Sequence, residues 1–129
     1  DPCSPVVRPW DTAENHYSIK DNGLMLPWNG RIWLNPPYGK QTQIWLNRLA
    51  AHGTGTALIF ARTETEMFFR EVWGRADMIL FLRGRIRFHH VDGSLGEYTG
   101  GDPSCLVAYG ALDKAHLMDS KLKGKRIEP

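Results

Sequence analysis

The sequence is poor in cysteine, in long apolar runs and in net charge. Its two cysteines, Cys3 and Cys105, lie far apart and match no metal-binding spacing, so we expect free thiols in a reducing cytosol. No apolar run is long enough to cross a membrane, and no signal-peptide pattern is present. The formal net charge of +2 neither indicates nucleic-acid binding by itself nor excludes it. Composition therefore favours a cytoplasmic globular protein and leaves its ligand open.

The composition also predicts a packed core. Hydrophobic residues make up 42% of the chain, which suits a single domain over residues 1–129, ending in a basic tail at 120–129. Apolar runs predict strands at "RIWL", "TALIF", "DMILFL" and "CLVAYG". "TQIWLNRLAAHG" is predicted as a helix that ends at Gly53, and "TETEMFF" opens a second helix with Thr63 and Glu66 as its capping box.

The order of these elements predicts the fold class. Strand, helix, strand, helix and strand follow one another, which is typical of an α/β domain with a mostly parallel sheet and helices on its faces. The segment "GRIRFHHVDGSLGEYT" alternates apolar and polar residues around Asp92-Gly93. We therefore expect a C-terminal antiparallel hairpin at the end of the sheet.

The stretch "RIWLNPPYGK" joins a strand-like run to two consecutive prolines. Proline cannot donate to a sheet ladder, so Pro36 and Pro37 end the strand abruptly and fix the directions of Asn35 and Tyr38. A strand-terminating turn with a surface tyrosine is one interpretation. A binding site is the other, and we favour it because ligands of parallel sheets bind at the carboxyl ends of the strands.

These four residues suit the chemistry of an amino group on a nucleic-acid base. Such a nitrogen is a poor nucleophile because its lone pair is delocalised into the ring. The Asn35 side-chain oxygen and the Pro36 backbone carbonyl can each accept a hydrogen bond from one N–H of this amino group. The two bonds draw the nitrogen toward a tetrahedral, nucleophilic form, while Pro37 locks the geometry. Tyr38 offers a face for stacking, worth about 1–3 kcal/mol per base. A base in a duplex must first be flipped out.

Further motifs accompany this one. They are "DPCSP" at residues 1–5, "DNGLMLPW" at 21–28 and "IWLNPPYG" at 32–39, followed by "ALIFART", "ADMILFLRGRIRF" and "PSCLVAYG". Together they resemble the phage-type, Dam-like DNA N6-adenine methyltransferases over nearly the whole chain. The resemblance implies a Rossmann-like, S-adenosylmethionine-dependent methyltransferase fold. In that family a strand precedes the motif at Asp1, so we expect the first strand to lie upstream of this chain.

The resemblance also implies a function. The enzyme would transfer a methyl group from S-adenosylmethionine to the N6 amino group of a flipped adenine in double-stranded DNA. It would be encoded by a phage or prophage and act in the cytoplasm of a bacterial host. The implied catalytic residues are Asn35, Pro36, Pro37 and Tyr38, and the implied cofactor-binding residues are Asp1 and Asp21.

Several cations are candidates for DNA contacts: Lys40, Arg62, Arg83, Arg85 and Arg87. The last three alternate along the predicted hairpin, where they either line an edge that faces DNA or form its solvated face. The basic tail is likewise either a solvated terminus or a phosphate contact. His89 and His90 have no carboxylate or cysteine at ligand spacing, so no metal site is predicted.

Two alternatives to an active DNA methyltransferase stay open. One is an inactive or truncated methyltransferase-like module that binds DNA or a protein partner, which a measurement of cofactor binding would distinguish. The other is a methyltransferase acting on protein glutamine or on RNA, since Asn-Pro-Pro-Tyr also occurs in such enzymes. The identity of the methylated product would separate it from the first reading.

Overall fold

The computed structural model describes residues 1–99 and 101–129. Within these residues the strands are β1 (Ile32–Leu34), β2 (Gly55–Phe60), β3 (Met78–Leu82), β4 (Ser104–Tyr109) and β5 (Gly124–Ile127). The helices there are α1 (Thr42–His52), α2 (Glu66–Phe68), which a π-helical segment (Phe69–Trp73) continues, and α3 (Ala111–Asp119). The strands form one sheet in the order β1-β2-β4-β3-β5. No helix in this part of the chain is long and apolar enough to span a membrane.

The sheet is mixed, so the prediction of a mostly parallel, Rossmann-like sheet is wrong. β1 and β2 pair in parallel, whereas β4 runs antiparallel to both β2 and β3, and β5 runs antiparallel to β3. A buried apolar run such as "CLVAYG" has the same pattern in either direction, so the sequence does not reveal its polarity. β1, β2 and β3 share one direction, and their carboxyl ends meet at one edge of the sheet, here called the carboxyl edge.

The hairpin predicted in the C-terminal half is also wrong, and the sequence analysis missed one strand there. Residues 84–99 were expected to form a hairpin, but they contain no ladder strand, and His89 and Leu95 form an isolated antiparallel bridge. The expected basic tail contains β5, in which Lys125 pairs with Phe81 of β3. The residues of β5 are mostly exposed, as is usual at the edge of a sheet. The polar composition of this strand therefore resembles that of a solvated terminus.

The helix predictions are confirmed in part. α1 ends where expected, because Gly53 adopts a left-handed φ of 85° and its N–H closes the last turn. α2 begins after Thr65, whose side-chain oxygen accepts a hydrogen bond from the Phe68 N–H, so the cap expected at Thr63 is misplaced. Both threonines precede the same apolar run, and hydroxyl chemistry alone does not choose between them.

Alternating side chains place apolar cores on both faces of the sheet. On the face covered by α1, Ile59 and Val107 are fully buried together with Leu46. On the opposite face, Leu80 packs with Leu117 of α3. Full burial of one such side chain contributes about 1.5–3 kcal/mol. The result is a sheet between two helical layers, with its carboxyl edge left open to ligands.

A buried carboxylate joins three elements of this core. Asp113, in the first turn of α3, has a side chain only 1% exposed. It accepts hydrogen bonds from the Arg31 guanidinium at 2.9 and 3.2 Å and from the Thr56 hydroxyl at 2.9 Å. The bond to Asp113 raises the pKa of Arg31. Because Arg31 directly precedes β1 and Thr56 lies on β2, this carboxylate fixes α3 against both strands.

Replacing Asp113 with alanine should destabilise the fold by about 2–3 kcal/mol, because it leaves buried donors without an acceptor. The half-exposed Arg31 can turn to water, which limits the loss. Glu66→Ala is the matched control, since it breaks the exposed ion pair with Arg70 and should cost no more than about 1 kcal/mol. Urea unfolding midpoints compare the two variants. Equal midpoints would contradict this role for Asp113.

Candidate active site

The Asn-Pro-Pro-Tyr motif lies where β1 reaches the carboxyl edge. Asn35 directly follows Leu34, the last residue of β1. The Tyr38 hydroxyl lies 3.3 Å from the Asn35 side-chain oxygen and 3.4 Å from the Leu58 carbonyl, and it can donate to either. Both distances exceed the usual range for such bonds, about 2.5–3.0 Å. The Asn35 oxygen is therefore held only weakly and can accept from another donor.

The two prolines of the motif differ in what their carbonyls contact. The Pro37 carbonyl accepts a hydrogen bond of 2.7 Å from the Thr42 hydroxyl, which ties the motif to the first residue of α1. Among the described residues, no hydrogen bond to the Pro36 carbonyl is formed. The motif thus has one anchored carbonyl and, one residue earlier, one without a hydrogen-bond partner among the described residues, in a residue that lines the neighbouring cleft.

An open cleft of about 590 Å³ lies beside the motif. Its walls include Ile19, Asn35, Tyr38, Phe60 and Phe88. The ring centroids of Tyr38 and Phe60 are 4.3 Å apart with their planes tilted by 35°, and Phe88 meets Tyr38 at 6.2 Å, nearly edge-on. We call this space the aromatic cleft. Its flat apolar walls with one amide at the rim suit an aromatic ring that carries a polar edge.

Phe60 and Phe88 were not among the predicted site residues. Phe60 ends a strand that reads as buried on both faces, and Phe88 lies in the segment predicted as a hairpin. The close ring contact with Tyr38 depends on how β1 and β2 align, with Leu34 opposite Ala57. That register is a property of the folded sheet, and no local sequence signal indicates it.

Tyr38 is partly exposed, and the pKa of its hydroxyl is raised. Its side chain is 36% exposed, which leaves part of the ring open to a ligand. Burial of the remainder, and secondarily the neighbouring Cys105 thiol, raises the pKa of Tyr38 to about 12. The phenol therefore stays neutral at physiological pH and remains a hydrogen-bond donor.

A larger cleft of about 1000 Å³ opens beside β1. Asp1, Tyr17, Trp28 and Ile32 contribute to its walls, and we call it the β1 cleft. Residues 1–6 form a wall between the two clefts, since their first two residues line the β1 cleft and the other four line the aromatic cleft. Two adjacent cavities thus share one thin segment of chain.

The two acids predicted to bind cofactor are not brought into the same cleft. The Asp1 carboxylate lies in the β1 cleft, where it accepts hydrogen bonds from the Cys3 N–H and the Thr12 hydroxyl. Asp21 is exposed, lines neither cleft and accepts a 2.8 Å bond from the Ser18 N–H in a local turn. Its part in cofactor binding stays a prediction.

An arginine that the sequence analysis missed holds the loop behind these clefts. The Arg48 guanidinium, on α1, donates to the carbonyls of Gly23, Leu24 and Leu26, and it lies 4.4 Å from the centroid of the Trp28 ring. The Trp28 indole N–H also donates to the Gly23 carbonyl, at 2.8 Å. One side chain thereby orders the loop that carries Trp28 into the β1 cleft.

Gly23 connects this loop to the wall between the clefts. A Cβ atom at this position would lie 2.3 Å from the Pro2 carbonyl oxygen, a distance that any larger residue would have to relieve by moving the backbone. The wall is further held by backbone bonds of 2.9 Å from Ser4 to Tyr17 and from Tyr17 to Asp1. The "DPC" and "DNGL" motifs are therefore packed against each other.

Lys40 and Arg62 follow the ends of β1 and β2. Lys40 is exposed beside the motif. Arg62 is also exposed, but it pairs with Asp102 at 2.5 Å and its guanidinium lies 5.5 Å from the centroid of the Phe60 ring. Both cations are at the carboxyl edge, and Arg62 is partly neutralised by its acidic partner.

The other three predicted cations do not form a row, because residues 83–88 are not a strand. Arg85 and Arg87 donate to the backbone carbonyls of Gly101 and Gly96 respectively, so both hold the following loop. Arg83 lies instead in a depression beside β5. The structure thus gives the three arginines different surroundings.

The two adjacent histidines contact loop residues. The His89 ring packs edge-on against Trp10 with centroids 5.0 Å apart, and the His90 N–H bonds to the Ser94 carbonyl at 2.8 Å. In the described ranges, no group of three or more His, Cys, Asp or Glu side chains could hold a metal ion.

Because the pKa of Tyr38 is raised to about 12, this phenol should stay protonated where an ordinary tyrosine ionises. At pH of about 10.5, just above the usual tyrosine pKa of about 10, the wild type and Tyr38→Phe should show the same tyrosinate absorbance. Spectrophotometric titration measures it. A loss of about one tyrosinate in the variant at that pH would contradict the buried environment of the hydroxyl.

Comparison with known proteins places this chain in a family. A family model described as DNA N-6-adenine-methyltransferase (Dam) matches residues 10–117, a range that contains the motif, the aromatic side chains of its cleft and Arg48. No curated protein and no solved structure matches the chain. Because the matched region covers most of the sequence, the chain belongs to the Dam family of DNA N6-adenine methyltransferases.

Proposed function

We propose that this chain transfers the methyl group of S-adenosylmethionine to the N6 amino group of an adenine flipped out of double-stranded DNA. The observation that carries the proposal is the convergence of three features at the carboxyl edge. These are the weakly held Asn35 oxygen, the Pro36 carbonyl, which has no hydrogen-bond partner among the described residues, and the Tyr38–Phe60 ring pair. Membership of the family supports the reaction type, and the geometry supports these residues as its site.

Asn35 and Pro36 would act as a pair of acceptors for the adenine amino group. The Asn35 oxygen becomes available when the Tyr38 hydroxyl donates to the Leu58 carbonyl, which lies almost as close. Positive charge builds on the nitrogen as its bond to the methyl group forms. Both acceptors therefore bind the transition state more strongly than the ground state, which lowers the barrier.

The aromatic cleft would hold the flipped base. Its volume of about 590 Å³ is within the range of small-molecule sites, about 300–1,000 Å³. Phe60 supports one part of the Tyr38 ring, while the exposed part remains for the base to stack on. Lys40 and Arg62 lie where they could contact the phosphates on either side of the base, and Arg85 and Arg87 would shape the neighbouring loop.

The β1 cleft fits S-adenosylmethionine in size and in chemistry. It is about 1000 Å³, with an aromatic and aliphatic wall from Trp28 and Ile32 and a carboxylate from Asp1 that can accept bonds from an ammonium group. When bound, this cofactor supplies an electrophilic methyl group on its sulfonium. Residues 1–6 line both clefts, so their position would control access from one to the other.

Asn35→Ala should reduce methyl transfer by about a hundredfold or more, by analogy with the loss of one polarising donor in other enzymes. The other acceptor is a backbone carbonyl that this substitution leaves in place. Asn47→Ala, at an exposed position of α1 outside both clefts, is the control and should keep wild-type activity.

Transfer of labelled methyl groups to unmethylated DNA, with identification of N6-methyladenine in the digest, measures both variants. Retention of the wild-type rate by Asn35→Ala would refute the role of Asn35. Label on cytosine, RNA or protein would refute the proposed substrate.

Substitutions of Tyr38 should separate its ring from its hydroxyl. Tyr38→Phe keeps the stacking face and should act at nearly the wild-type rate, and Tyr38→Trp should retain part of the activity. Tyr38→Ala removes the stacking face and should weaken binding of the flipped base by about 5- to 150-fold, equivalent to about 1–3 kcal/mol. Steady-state kinetics on DNA compare them. If Tyr38→Phe is as impaired as Tyr38→Ala, stacking is not the main role of this residue.

S-adenosylmethionine should bind with saturable heat in calorimetry. At a concentration 100-fold above its Kd, it should stabilise the fold by about 2.7 kcal/mol. Asp1→Asn should weaken binding more than Asp21→Asn, since Asp1 lines the β1 cleft and Asp21 does not. The absence of heat and of thermal stabilisation would favour an inactive DNA- or protein-binding module. A larger effect of Asp21→Asn would contradict the assignment of the cofactor to this cleft.

A further inference from the structure

The carboxyl edge extends beyond the proposed active site as far as β5. β3 ends at Leu82, opposite Gly124, and the Arg83 N–H bonds to the Lys123 carbonyl at 2.9 Å just past that pair. β1 and β3 run in the same direction, so Arg83 and Lys123 lie on the same edge as Asn35. Four strand spacings of about 4.8 Å each separate β1 from β5, a span of about 19 Å.

Positive charge collects at that end of the edge. A shallow depression of about 530 Å³ lies between β3 and β5. Four of its seven lining residues in the described chain are cations, namely Arg83, Lys123, Lys125 and Arg126, and none of the seven is a carboxylate. Like charges this close together repel one another and lower the stability of the fold. We therefore expect this cluster of cations to have a function other than stabilising the protein.

The four cations differ in what their side chains contact. Arg126 points to the α3 side, where it donates to the carbonyls of Leu117 and Ser120 at 2.9 and 2.7 Å. Lys125 lies opposite Phe81 in the ladder, so the two side chains emerge on the other face, and Lys123, which precedes β5, lines the same depression. Within the described ranges, neither lysine forms an ion pair, and the same holds for Arg83.

We propose that Arg83, Lys123 and Lys125, here called the β5 patch, dock the sugar-phosphate backbone of the duplex whose adenine enters the aromatic cleft. This inference rests on the proposed function, because it assumes the same DNA as substrate. A duplex carries one negative charge per about 1.7 Å of its axis. DNA lying along the carboxyl edge therefore presents phosphates over the whole span of about 19 Å between the cleft and the patch.

The chemistry of the β5 patch defines what it contributes. Phosphate contacts set affinity and orientation, whereas base contacts set sequence preference. The patch should therefore strengthen binding to all duplexes alike and help to place the target base over Asn35. Lys123 and Lys125 also lie outside the part of the chain that matches the family model, so this surface goes beyond what that match supports.

The test is a double variant, Lys123→Gln with Lys125→Gln, in the full chain. Both positions are exposed, so the fold should be unaffected. Each lost phosphate contact should lower the slope of log K against log salt by about 0.9, giving a change of about 1.8 for the pair. At about 0.1 M salt, and with affinity at 1 M salt unchanged, this corresponds to binding weaker by about 60-fold. Fluorescence anisotropy with a labelled duplex measures both quantities.

Arg70→Gln with Lys114→Gln is the matched control, because it removes the same net charge from exposed ion pairs elsewhere. Equal affinities and slopes for the two double variants would overturn the proposal. Binding of the β5 patch to anionic vesicles but not to DNA would overturn it as well. Methyl transfer at saturating DNA is measured on the same preparations. A wild type that binds DNA through the patch but transfers no methyl group would refute the proposed function and support the patch.

Discussion

Three backbone carbonyls of one loop converge on the guanidinium of Arg48. A buried or half-buried carbonyl without a donor costs free energy, and a loop of this kind has few other donors to offer. With Arg48 in place, the loop holds Trp28 in the β1 cleft, and the lack of a side chain at Gly23 lets the Pro2 carbonyl pack closely against it. The wall between the clefts is thus positioned from α1, an element that contributes little to the surface of either cavity.

The same helix positions the motif on the other side of that wall. The Thr42 hydroxyl, at the start of α1, fixes the Pro37 carbonyl, and the rigid ring of Pro37 transmits this constraint to its neighbours. A side chain in the middle of α1 and another at its first residue therefore act on separate parts of the site. The distance between the proposed cofactor and base sites depends on a single helix, which is a stiffer reference than a loop would be.

The sequence predicted local features well and long-range pairing poorly. The four strand cores and the end of α1 are set by apolar runs and by a glycine at Gly53, and these are short-range signals. β4 lies antiparallel between β2 and β3, and it is reached through the long connection that follows β3. Nothing in the sequence of that connection indicates in which direction the next strand runs. β5 was missed because an edge strand needs few apolar residues. In the site, Asn35 and Tyr38 belong to one motif, whereas Phe60 and Arg48 join it only through the folded register and the helix position.

The charge of β5 has a consequence for self-association. β5 lies at an edge of the described sheet, and an edge strand with free donors and acceptors invites pairing with another molecule. Its four residues include the exposed Lys125, and a lysine on an edge strand disfavours such pairing. A residue proposed for DNA docking therefore also protects this edge of the sheet against aggregation.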